Sequence, residues 1–123
     1  MIDIIVLNRN LRLHDNAALF YGSLRSNYIV IYLYDEKYWE GNGKSSRQLK
    51  FAIDCLNELD QDLKKINSEI NIFEGSFEML KIWIKENFSD YRIHMNHCTD
   101  IGYFRTGFEN FKNYFGKRLR VYD

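Results

Sequence analysis

The sequence predicts an α/β fold, a doubly wound parallel sheet of five strands with helices on both faces. Three observations carry that expectation. Strand-length apolar runs alternate with segments of helical period from one end of the chain to the other. The first two runs are apolar almost throughout, as in strands covered on both faces. No repeat, linker or low-complexity tract divides the 123 residues, so they read as one domain with right-handed crossovers.

The elements follow in order. Ile2 to Leu7 is a strand broken only by Asp3. Asp15 or Asn16 is placed to cap a helix through Ala17, Ala18, Leu19 and Phe20 towards Arg25. Tyr28 to Tyr34 is β-branched or aromatic at nearly every position and makes a second central strand. The polar loop Asp35 to Ser45 leads to Ser45 or Ser46, which opens a long helix. Its apolar face is expected to carry Leu49, Ala52, Ile53, Leu56, Leu59, Leu63 and Ile66.

Ile70, Ile72 and Phe73 form a short third strand ended by Gly75. Ser76 then caps a helix that places Phe77, Leu80 and Ile84 on one stripe, with Glu78 in its first turn. Tyr91 to Asn96 is the fourth strand. Beyond the loop from His97 to Gly102, a helix marked by Phe104, Phe108, Phe111 and Phe115 stops at Gly116. Leu119 to Tyr122 is the fifth strand, and the α/β pattern is complete there.

Composition narrows the function classes. Lys+Arg and Asp+Glu both number 17, so no global positive field draws the chain to nucleic acid or an anionic membrane. No apolar run approaches the roughly 18 residues of a membrane span. The N-terminus enters a strand at once, without a signal peptide's basic start. Cys55 and Cys98 have neither metal spacing nor the look of a disulfide framework, which fits a cytoplasmic chain with reduced thiols. Proline is absent where ordinary usage of about 5% would place roughly six, a bias of composition rather than a functional signal.

The residues that could carry chemistry gather after strand one. Arg9, Arg12, His14 and Asp15 stand at its carboxyl end, where open α/β sheets place ligands. Two readings stay open: a structural turn with tethered arginines and a cap, or one wall of a ligand crevice. Gly41-Asn42-Gly43-Lys44-Ser45 is not a P-loop, because Tyr38 holds the position of the first glycine and the loop is long. The helix start at Ser45 and Ser46, with Lys44 and Arg47, is either an anion-holding end or a capped solvent-facing one. His94 lies inside a strand, and His97 and Cys98 are neighbours whose side chains diverge in an extended segment. Neither a metal cluster nor a nucleophile elbow nor a dinucleotide fingerprint is present. The aromatic content of 16% falls mostly at core positions, which favours packing over base stacking.

Arg9-Asn10-Leu11-Arg12-Leu13-His14-Asp15-Asn16-Ala17-Ala18-Leu19 resembles the opening signature of the DNA photolyase/cryptochrome family, R-D-L-R-L-H-D-N-P-A-L. Ser45-Ser46-Arg47-Gln48, followed by Phe51, Leu56, Leu59 and Leu63, is similar to the family's next block. Strand four ending at Asn96, then Tyr103 and Arg105, looks like a degraded form of a third. The resemblance runs through the whole chain in order. It implies the family's N-terminal, Rossmann-like α/β domain over residues 1–123, with strand order 3-2-1-4-5.

In that family the domain holds an antenna chromophore (a folate, a deazaflavin or a flavin) that passes excitation energy to FAD in a separate helical domain. The helical domain splits pyrimidine dimers in DNA. The resemblance implies that this FAD-binding domain is absent from the 123 residues and would be a separately encoded partner, that FAD and DNA are reached only through it, and that the chain is not catalytic alone. Trp39 and Trp83 lie in the α/β part and do not replace the family's electron-transfer tryptophans. The resemblance places cofactor-binding candidates at Asn8, Arg9, Tyr34, Asp35, Asn42, Arg47, Asn96 and Asp100.

Departures from the pattern inform the choice of chromophore. Asn10 replaces an Asp, and Ala17 replaces a Pro. Asn42 stands where folate-binding members use a histidine, and their acidic pair is not evident around Tyr103-Phe104. Arg47 and Asp100 match positions used by deazaflavin-binding members. A deazaflavin or flavin is therefore favoured over a folate. The alternatives are a small-ligand or nucleotide-binding module of the same fold without light chemistry, and an inactive truncated remnant.

Overall fold

The computed structural model describes residues 1–7, 17–24, 27–34, 53, 54, 57, 58, 60, 61, 63, 64, 70–97 and 103–122. The described strands are β1 (Ile2–Leu7), β2 (Tyr28–Tyr34), β3 (Ile70–Glu74), β4 (Tyr91–Asn96) and β5 (Leu119–Tyr122). They form one sheet in the order β3-β2-β1-β4-β5. Every recorded pairing is parallel, including Asp3↔Tyr28 and Ile5↔His94 on the two sides of β1. The direction of winding reverses between β1 and β4, which makes their carboxyl ends the topological switch point.

The continuous apolar character of β1 has a direct cause. Side chains alternate across the pleat, and both faces are covered. Ile4 and Val6 join the cluster under helices α2 (Phe77–Asn87) and α3 (Tyr103–Phe115). Ile5 and Leu7 join the opposite cluster, with Ala18 and Leu19 of α1 (Ala17–Gly22) and with Leu63. Each fully buried side chain of this size contributes roughly 1.5–3 kcal/mol relative to exposure. The edge strand β3 is different, with Asn71, Ile72 and Glu74 all exposed.

The second face is built as its sequence spacing suggests. Ser76, in extended geometry, accepts the Met79 amide at 3.2 Å, and the Met79 sulfur closes the reciprocal half of the box. Phe77, Leu80 and Ile84 of α2 then meet Phe108, Phe111 and Phe115 of α3. The Phe77 and Phe111 rings lie 5.3 Å apart, and Phe111 and Phe115 lie 4.8 Å apart. Gly116, at φ +54, ends α3 in the left-handed region that favours glycine. Trp83 is a packing residue between Phe73 and Phe88.

Two expectations are adjusted. Helix α1 ends at Gly22 rather than running towards Arg25. Gly22 lies so close to the sheet that an added Cβ would sit 2.5 Å from Ile5 Cγ1, and the Asn27 carbonyl already accepts the Asp3 amide of β1 at 3.0 Å. The chain has to turn between these two points. Ile53, Asp54, Asn57, Glu58, Asp60, Gln61, Leu63 and Lys64 are helical, as expected, and Leu63 is buried. Ile53, however, is exposed, because ten residues at 3.6 per turn set it ~80° away from Leu63 around the helix. Leu49, Ala52, Leu56, Leu59 and Ile66 lie outside the described residues, as do the capping candidates Asp15 and Asn16.

Candidate functional site

Period-two alternation decides which residues share the α1 face of the sheet. Asp3, Ile5 and Leu7 point there from β1, Tyr34 from β2, His94 and Asn96 from β4, and Tyr122 from β5. At the carboxyl edge this gives a rim of Tyr34, Leu7, Asn96 and Tyr122, in strand order across the switch point. Leu7 is the buried floor, and the half-buried rings of Tyr34 and Tyr122 pack against the same cluster.

Of the eight candidate residues, Tyr34 and Asn96 are described, and the sheet brings both to this rim on either side of β1. Tyr34 accepts the Gly75 amide on its carbonyl at 2.9 Å, which fixes the end of β2 against the turn after β3. Asn96 Oδ1 accepts the Ala18 amide at 3.0 Å and so caps the first turn of α1. Asn96 is therefore a positioning residue, holding the helix that borders the rim. Asn8, Arg9, Asp35, Asn42, Arg47 and Asp100 lie outside the described residues, together with Arg12, His14, Lys44, Ser45 and Cys98.

Behind the rim runs a polar chain that the motif reading did not single out. His94 is buried, with Nε2 2.8 Å from Asp3 Oδ1 and Nδ1 2.9 Å from the Tyr122 hydroxyl. The His94 and Tyr122 rings are nearly parallel, at 7°. Burial pushes the Tyr122 phenol above its ordinary pKa. The available signal was Asp3, the one charged residue in an apolar strand, and a histidine within another strand. Among the described residues no group of three His, Cys, Asp or Glu is placed to hold a metal ion.

The sequence matches the DNA photolyase family over residues 4–98. This chain belongs to that family. A (6-4) DNA photolyase of Arabidopsis thaliana is 33% identical over 82 residues, which is 58% of this chain and 15% of the plant protein. Among solved structures, an archaeal photolyase from Sulfolobus tokodaii covers 100% of this photolyase-family chain with a TM-score of 0.80 at 26% identity. The match takes in 29% of that protein, which is described as holding two FAD molecules and as implying a novel light-harvesting cofactor. A class III photolyase from Agrobacterium tumefaciens covers 98% of this chain at 19% identity and TM-score 0.68, across 25% of its own length, and shows the fold alone.

The photolyase-family chain thus spans less than a third of each of these relatives. The fold that the relatives carry as part of a larger protein is the five-stranded α/β sheet with order β3-β2-β1-β4-β5. Among the described residues no helix is long and apolar enough to cross a membrane.

Proposed function

We propose that this chain is the antenna domain of a light-dependent DNA repair system and holds a flavin-class chromophore at the carboxyl edge of its sheet. The observation that carries the reading is the likeness of this chain, over its whole length, to 29% of the archaeal photolyase described with a light-harvesting cofactor. The rim's chemistry fits a planar aromatic group. Tyr34 and Tyr122 supply half-buried rings, and Leu7 supplies an apolar floor at the switch point.

In this reading Tyr34 lines the chromophore, Asn96 fixes α1 beside it, and Asn8, Arg9, Asp35, Asn42, Arg47 and Asp100 supply its remaining polar contacts. A flavin or deazaflavin is preferred to a folate because Asn42 replaces the histidine that folate-binding members use. When bound, the chromophore supplies absorption of near-ultraviolet or blue light and excitation transfer. The chain's own residues bind, orient and shield it. An FAD-binding helical domain on a separate polypeptide is the proposed recipient of that energy and the proposed site of DNA contact and dimer splitting.

Thermal unfolding of the purified chain tests the binding step, with FMN, FAD, a 5-deazaflavin and methenyltetrahydrofolate added separately. A ligand held by the native state at a hundred times its Kd raises stability by about 2.7 kcal/mol. The flavin or deazaflavin is expected to raise the Tm and the folate to leave it unchanged. A folate-only response would reassign the chromophore, and no response to any of the four would remove the antenna reading.

A further inference from the structure

We propose that Tyr122 is a proton-coupled electron donor, with His94 taking its proton, Asp3 stabilising the resulting imidazolium, and Tyr21 passing the oxidising equivalent in from the surface. A phenol that loses an electron becomes a strong acid, so its oxidation is easiest where a base stands ready for the proton. The Tyr122 hydroxyl has such a base, His94 Nδ1 at 2.9 Å. The direction of the hydrogen bonds follows from the donor inventory. The Asp3 carboxylate only accepts, so His94 Nε2 carries the proton of the 2.8 Å bond to it. In the neutral imidazole Nδ1 is then the acceptor, and Tyr122 donates to it.

The fold supplies the rest of the arrangement. Asp3 and His94 are buried, so the imidazolium formed on proton transfer stays paired in a site of low dielectric. On the outer side, the Tyr21 ring stacks on Tyr122 with centroids 5.1 Å apart and planes 10° apart. Tyr21 itself is half exposed, on the surface of α1. The stack therefore runs from solvent to a phenol with a proton acceptor, where the oxidising equivalent comes to rest.

The step balances with one external reactant, a one-electron oxidant of the photoexcited-flavin class. The oxidant gains the electron, the Tyr122 O–H bond breaks and an N–H bond forms at His94 Nδ1. The products are a neutral tyrosyl radical and an imidazolium–carboxylate pair. Return of an electron reverses both transfers. The inference does not rest on chromophore binding, because a dissolved oxidant reaches Tyr21 at the surface.

The test is flash excitation of dissolved FMN with the full chain, followed by transient absorption and by electron paramagnetic resonance of freeze-trapped samples. A long-lived tyrosyl radical is expected, with the spectral signature of a hydrogen-bonded oxygen and slower formation in deuterium oxide. Tyr122→Phe keeps the ring stack and is expected to abolish that component. Tyr21→Leu is expected to slow its formation while leaving the signature intact. The solvent-isotope comparison needs no variant, so it decides even where a substitution disturbs folding. A radical of unchanged yield and lifetime in Tyr122→Phe, or wild-type kinetics indifferent to deuterium oxide, would overturn the proposal.

Discussion

Asn96 Oδ1 accepts the main-chain N–H of Ala18 at 3.0 Å, so the last residue of β4 caps the first turn of a helix 78 positions earlier. The bond joins the two sides of the switch point, where β1 leads into α1 and β4 ends. Asn96→Ala removes the acceptor and is expected to lower stability by about 1 kcal/mol, the usual worth of such a cap. Asn96→Asp retains an acceptor and should restore most of the loss. Urea midpoints of the three proteins measure both effects.

Gly22 sets how closely α1 approaches the sheet. A Cβ there would meet Ile5 Cγ1 at 2.5 Å, Ile5 Cδ1 at 2.9 Å and His94 Cδ2 at 3.2 Å. Gly22→Ala is therefore expected to destabilise by about 1–3 kcal/mol through overpacking, despite alanine's better helix propensity. Ile5→Ala opens a cavity on its own account, so the double variant should lose less than the two single losses combined. Strict additivity in that cycle would contradict the close approach.

The Asp3–His94 bond holds two buried polar side chains in an otherwise apolar layer. Asp3→Ala leaves the imidazole without that acceptor and should cost about 2 kcal/mol. Asp3→Asn retains an oxygen that can accept from Nε2 and should cost less. Equal losses in the two variants, read from denaturation midpoints, would show that the bond contributes no stability.

Legibility in the sequence tracked locality. Elements whose cause lies in neighbouring residues were readable as such: Ser76 with its box, the Phe108–Phe111–Phe115 stripe, and the near-continuous apolar run of β1. The photolyase-family motifs also carried the strand order, which the sheet reproduces. Contacts made only by the tertiary fold were not readable. The capping of Ala18 by Asn96 depends on where β4 ends, and the close approach of α1 to the sheet at Gly22 depends on Ile5 beneath it. The Asp3–His94–Tyr122 chain joins three strands through parallel registers that no single window contains. Of the candidate residues, Tyr34 and Asn96 lie at the carboxyl edge of the sheet, where Asn96 caps α1.

The acid side of the stability profile has a defined contributor. Asp60 Oδ1 accepts the Ile70 amide at 3.0 Å, and this bond, aided by Lys64, holds the carboxyl below its ordinary pKa. Because the folded value is lowered, the contribution is fully present above the unfolded value of about 3.9 and is lost as pH falls through the folded one. Asp60→Asn keeps an acceptor for Ile70 without titrating. Its stability should fall less than that of the wild type between pH 5 and the acid limb, in denaturation curves collected across that range. Parallel pH profiles would contradict the assignment.

The antenna reading is tested most directly by titrating the purified chain into dilute FMN and following flavin fluorescence, with Tyr34→Ala in parallel. A flavin seated on the rim of Tyr34, Leu7 and Asn96 should be quenched to saturation at one flavin per chain, and Tyr34→Ala should weaken the binding while its unfolding curve remains cooperative. Flavin fluorescence that stays unchanged throughout the titration with folded wild-type protein would contradict a flavin site at the carboxyl edge of this sheet.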